Sequence, residues 1–164
     1  MMVKNPRELF VMMLSEVREG AERTTKFIQE VIQVVKDAEV REALEARLFV
    51  SNKINDTVDQ CFKVIGERPV QVTGKLTEVF IEDFRKELNE IQSPEARLLF
   101  VLAKINHVMH LRIGEYAALI AAADVTGHYA AGVLLETCLA DNVAFAERNR
   151  CLIRDRIKAR VAAA

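Results

Sequence analysis

Glycine and proline are scarce in this chain, six and three residues among 164. A β fold needs a chain reversal every few residues, so this shortage disfavours one and favours long helices. No charge excess exists either. The 23 basic and 24 acidic residues nearly cancel, and no overall field points to nucleic acid or a membrane surface. Cysteine is present three times, as Cys61, Cys138 and Cys151, with no CxxC spacing. An odd, scattered set reads as free thiols in a reducing cytoplasm rather than as a disulfide frame. The opening MMVKNPRELF has no long apolar run and does not resemble a secretory signal. P-loop, GxGxxG, nucleophile-elbow and zinc spacings are also missing.

What is present is apolar periodicity, with 51% hydrophobic residues, enough to bury a core in one domain spanning 1–164. The dominant stretch is 98–123, LLFVLAKINHVMHLRIGEYAALIAAA. Leu99, Leu102, Asn106, Met109, Ile113, Tyr116, Ile120 and Ala123 fall on one helical stripe. Ser93 is an N-cap before Pro94, and Gly127 a stop, which predicts a helix of roughly 45 Å. Lys104, Arg112 and Glu115 interrupt its apolar character, so it reads as a bundle rod rather than a membrane span.

Four further helices follow from the same reasoning. The first covers 6–36, with its stripe interrupted by Gly20-Ala21, a small pair that admits a neighbouring backbone or leaves room for something else. Asp37-Ala38-Glu39 breaks the chain, and the second runs from about Glu39 to Ile65, its stripe Leu44, Leu48, Ser51, Asn55, Val58, Phe62 and Ile65. Gly66 and Pro69 end it. A shorter helix over about 75–91 links it to the long rod, and the last runs from Gly127-His128 to about Arg160. The expected fold is all-α: an antiparallel four-helix bundle of ferritin-like type with a fifth, shorter connecting helix.

Candidate chemistry is sparse. A di-metal bundle needs inward Glu residues and two Glu-x-x-His motifs, and no Glu-x-x-His occurs. His107 and His110, three apart, share a helix face and could hold one metal together. With no acidic partner fixed by spacing, the plainer expectation puts one in solvent and the other in a hydrogen bond within the bundle. Thr24, Ser51, Asn55, Asn106 and Asn142 could ring a polar pocket, or be satisfied pairwise or by one buried water. Glu115 and Glu136 read as solvated, Cys61 and Cys138 as core packing. Six basic residues between Arg148 and Arg160, against the single acid Asp155, either hold an anionic partner or complement a helix C-terminus.

Several short motifs occur in a telling order: Leu9-Phe10-Val11, Ala43-Leu44-Glu45, Gly66-Glu67-Arg68-Pro69, His110 with Ile113 and Tyr116, Gly127-His128, and Leu134-Leu135-Glu136-Thr137. In that order the chain resembles the bacterial YciE/YciF-like proteins, a ferritin-like family associated with stress responses. The resemblance implies acidic and histidine residues at inner positions, suspected of binding iron or a similar metal. This sequence departs there. The first-helix acidic position falls at Ala21, with Glu22 one residue out of register, and the second-helix one at Phe49-Val50. Met109 and Arg112 flank His110 where the family tends to carry Glu, and the fourth-helix acidic pair becomes Asp141 and Asn142.

The expectation is therefore a non-enzymatic, cytoplasmic bundle protein, structural or partner-binding, with a degenerate metal site and no cofactor. The alternative is an iron- or manganese-binding oxidoreductase with a reduced site around His107, His110, Asp141 and Glu22. A homodimer is expected, because Phe27, Phe49, Phe80 and Phe100 exceed what the inner stripes hold.

Overall fold

The structure, a computed structural model, describes the backbone of residues 3–163 and the side chains of residues 3–158. Five helices follow in order: α1 Pro6–Val34, α2 Ala38–Ile65, α3 Lys75–Glu90, α4 Pro94–Thr126 and α5 Tyr129–Ala163. No strand occurs among the described residues. Each start has a local cause. The side chains of Asn5, Asp37 and Ser93 accept from the backbone N–H three residues on, satisfying a donor the helix itself leaves free. The predicted break at Asp37-Ala38-Glu39 is thus the N-cap of α2, and α1 ends two residues earlier than its stripe suggested. Gly66 closes α2 in the left-handed region at φ 69°, where a side chain would clash with its own backbone.

α1, α2, α5 and α4 form a ring of four in which each helix packs on the next, while α3 lies outside against α1 and α4. One apolar cluster joins the C-terminal half of α1, the N-terminal halves of α2 and α4, and the C-terminal half of α5. The other cluster joins the opposite halves. Hence α1 and α5 run one way and α2 and α4 the other, and every neighbouring pair is antiparallel. α3 carries the single long crossover from the end of α2 to the start of α4, the connectivity of ferritin-like bundles.

The two apolar halves are divided by a polar layer, and its register differs from the sequence-based stripes. In α4 the innermost row is Leu102, Ile105, Met109, Arg112, Tyr116, Leu119 and Ala123; Leu99, Asn106, Ile113 and Ile120 stand at its half-buried flank. In α2 the row is Val40, Leu44, Arg47, Ser51, Ile54, Val58 and Cys61, with Leu48 and Asn55 at the flank. Both rows alternate steps of three and four, the spacing of a helix–helix seam. Both carry an arginine in the middle.

The aromatic surplus is also placed differently. Phe27 is buried and stands edge-on to Phe84, 4.8 Å between centroids, and to Phe80 at 6.0 Å; Phe84 stacks on Phe100 at 5.7 Å. These rings are part of the contact between α3 and the bundle, together with Thr77, Ile81 and Leu88, so three of the four supposedly surplus phenylalanines have a place in it. Only Phe49 is left out, 76% exposed on α2.

Candidate functional site

The centre of the bundle is built around two guanidinium groups. Arg112 of α4 is 1% exposed and Arg47 of α2 is 4% exposed. Arg112 enters a slot in α1 left by Gly20: a Cβ there would lie 1.9 Å from Arg112 Nη1. The small pair Gly20-Ala21 therefore makes room for a side chain, not for a backbone. Inside the slot, Arg112 Nη2 donates to the Val17 carbonyl oxygen at 2.9 Å, and Nη1 lies 2.7 Å from Glu115 Oε2 in an ion pair one turn along α4. Arg47 Nη2 donates to Asn142 Oδ1 of α5 at 2.8 Å, and its guanidinium carbon stands 5.4 Å from the centre of the Phe145 ring. Asn142 in turn donates to the Cys138 carbonyl at 2.7 Å, which fixes the orientation of its amide.

Between the two arginines is a cavity of about 10 Å3, room for one water-sized sphere. Ala21, Thr24, Thr25, Ser51, Ile54, Asn55, Tyr116 and Asn142 complete its wall. Asn55 Nδ2 donates to Thr25 Oγ1, and Thr25 donates to the Ala21 carbonyl. The hydroxyls of Thr24, Ser51 and Tyr116, and Nε and Nη1 of Arg47, are buried with no hydrogen-bond partner among the described residues.

Burial dominates the electrostatics. It lowers the Arg47 pKa to about 10, helped by the like charge of Arg112, yet the group remains cationic at neutral pH. The Tyr116 phenol is pushed up by burial and stays protonated. Burial also raises the Glu115 carboxyl above its ordinary range, with Arg112 opposing the shift. The expectation of a solvated Glu115 is therefore corrected: it is half-buried beside the core arginine. Cys61 and Cys138 are buried, their thiols raised by burial to about 12 and about 11, and they are unreactive packing groups.

The metal candidates do not meet. His107 and His110 are both exposed, and His110 Nδ1 bonds only to the Asn106 carbonyl of its own helix, at 2.9 Å. Asp141 lies at the edge of the α2–α5 face with Lys53 at 3.3 Å, and Glu22 pairs with Arg18 at 2.9 Å. Glu136 is exposed, as expected. Among the described residues no three His, Cys, Asp or Glu side chains gather in a group able to hold a metal. Of the second-helix pair, Phe49 faces solvent and Val50 is half-buried against the core, while Arg47 and Ser51 face the centre. Thr24, Ser51, Asn55 and Asn142 do line one pocket; Asn106 does not.

Arg47 is the residue that sequence reasoning missed. The signal was available, since Val40, Leu44, Arg47, Ser51 and Ile54 keep the seam spacing with a charge in the seam. The basic run of α5 is largely committed: Arg150 to Glu147, and Arg156 to Asp37 at 2.9 Å and Glu39 at 2.6 Å. The Arg160 side chain lies outside the described residues. A wider cleft of about 500 Å3 lies where the α1–α2 junction meets the start of α4, and neither Arg47 nor Arg112 lines it.

Residues 5–162 match the family described as Domain of unknown function (DUF892), and the chain belongs to that family. Its fold is similar to that of YcfI from Rhodopseudomonas palustris, with TM-score 0.87 and 22% identity over 90% of this chain and 94% of that one. It is similar also to the E. coli stress protein YciF, with TM-score 0.89 and 20% identity over 95% and 99%. A protein of Xanthomonas campestris matches at TM-score 0.76 and 14% identity, over 97% and 98%. At these identities the likeness is one of fold, and it bears out the resemblance to YciF-like proteins. No curated protein matches significantly. No described helix is long and apolar enough to cross a membrane.

Proposed function

We propose that this chain is a non-enzymatic helical-bundle protein of the YciF-like group, structural or partner-binding, stress-related, and without a resident metal. One observation carries the reading: the centre of the bundle is cationic. A carboxylate-bridged metal pair brings about four positive charges and needs inward carboxylates to neutralise them. The groups facing this centre are two guanidiniums, hydroxyls and neutral amides, and the nearest carboxylates are already paired with Arg112 and Lys53. Such a donor set does not fit iron or manganese. The stress association of E. coli YciF, and the provisional assignment of R. palustris YcfI as a structural protein, favour the same reading. The three free thiols and the balanced charge agree with a cytoplasmic protein that binds no nucleic acid.

The chain self-associates as a homodimer through the α2–α5 face. Phe49 is exposed on the same helix as part of a groove of about 210 Å3, lined by Ala43, Ala46, Val50, Ala144 and Phe145 and also by Arg47, Asp141 and Arg148. A knob next to a groove is self-complementary under a two-fold axis.

Elemental analysis after aerobic and anaerobic purification should find well under one iron or manganese per chain. Two tightly held metals per chain, lost on His110→Ala, would overturn the reading.

A further inference from the structure

We propose that the cavity between Arg47 and Arg112 is a binding site for one small monovalent anion of halide type, with chloride as the natural occupant. Charge comes first. Arg112 is balanced by Glu115, but among the described residues the only hydrogen-bond partner of Arg47 is the neutral amide of Asn142, so one positive charge is left inside the bundle. Asp141, whose field reaches Arg47, is half-exposed and bound to Lys53. An unpaired buried cation is costly, and an anion in contact removes that cost.

Hydrogen bonding points the same way. The unpartnered buried atoms around the cavity are Arg47 Nε and Nη1, Arg112 Nε, and the hydroxyls of Thr24, Ser51 and Tyr116; Asn55 Oδ1 is the one pure acceptor among them. A water accepts only two hydrogen bonds, so it would leave most of these donors unmet. An anion accepts from several at once, and bonds from charged donors are the stronger kind.

Size selects the ligand. About 10 Å3 admits one sphere near the size of a water. Chloride or bromide fits with a small outward relaxation of the mobile hydroxyls, whereas sulfate, phosphate or a carboxylate does not.

The test uses full-length protein dialysed into sodium gluconate, an anion too large for the cavity. At constant ionic strength, replacing gluconate by chloride or bromide should raise the unfolding midpoint by roughly 3–5 °C at tenfold the dissociation constant, and the rise should saturate. Sulfate should give no saturating rise. Crystals grown in bromide should show an anomalous peak within hydrogen-bond distance of Arg47 and Ser51. Arg47→Met should fold and lose the halide dependence; if it fails to fold, Ser51→Ala should weaken that dependence in its place. Identical midpoints in gluconate and chloride, or a bromide peak with no midpoint shift up to about 0.2 M halide, would overturn the proposal. Neither outcome bears on metal content, so the reading above stands or falls separately.

Discussion

Gly20 and Arg112 are interlocked, and the consequence runs against the usual helix rule. Replacing glycine by alanine inside a helix ordinarily stabilises by about 1 kcal/mol. Here the added methyl would stand 1.9 Å from Arg112 Nη1, the end of a side chain that is itself buried and bonded in place. The arginine would be displaced from the Val17 carbonyl, leaving a buried charge with fewer partners. Gly20→Ala should therefore destabilise by about 1–3 kcal/mol in urea unfolding. In an Arg112→Ala background the same change should be neutral or stabilising, and that reversal of sign in a double-mutant cycle is the signature of the contact. Equal costs in both backgrounds would show that the clash is relieved some other way.

At the scale of the element, α3 stands apart. It touches only α1 and α4, and its buried side chains are Thr77, Ile81, Phe84 and Leu88. The four long helices each have two neighbours in the ring, so α3 has the least packing to lose on opening. Its anchor is Phe84, set between Phe27 and Phe100. Phe84→Ala should cost about 3 kcal/mol if α3 stays docked, and less if it detaches. Amide exchange tells the two apart. In the wild type, residues 75–90 should exchange faster than the middle of α4, and in the variant they should approach unprotected rates while α4 keeps its protection. Uniform loss of protection across all helices would mean that α3 is integral to one cooperative unit.

For the molecule as a whole, the exposed apolar surface that matters is narrower than a tally of phenylalanines suggests. Of the four phenylalanines, Phe27, Phe80 and Phe100 are packed against the core and Phe49 projects; Leu76, Val125, Tyr129 and Val133 are exposed elsewhere. If the α2–α5 face joins two copies, light scattering at micromolar concentration should give the mass of a dimer. Phe49→Glu should give that of a monomer with its helicity unchanged, because the side chain contributes nothing to the core of its own chain. A wild-type monomer at that concentration would remove the case for the dimer, and a dimer unaffected by Phe49→Glu would move the interface to another face.

The number of helices, their stops and their connectivity were legible in the sequence, because caps, glycines and apolar spacing act within a few residues of one another. Asn5, Asp37, Ser93, Gly66 and Gly127 do their work whatever lies beside them. The centre was not legible in the same way. The absence of a Glu-x-x-His motif could be seen, and four of the five polar residues named for a pocket do line it. The register of the seam, however, depends on which face each helix turns to its neighbours, and a row containing arginine is rejected by any rule that equates charge with solvent. Arg112 is tolerated because Val17 and Gly20 lie across from it, and Arg47 because Asn142 does. Each of those two hydrogen bonds joins residues 95 apart in the chain. Only the packing of the helices brings such partners together, and a buried charge is decided by its partners.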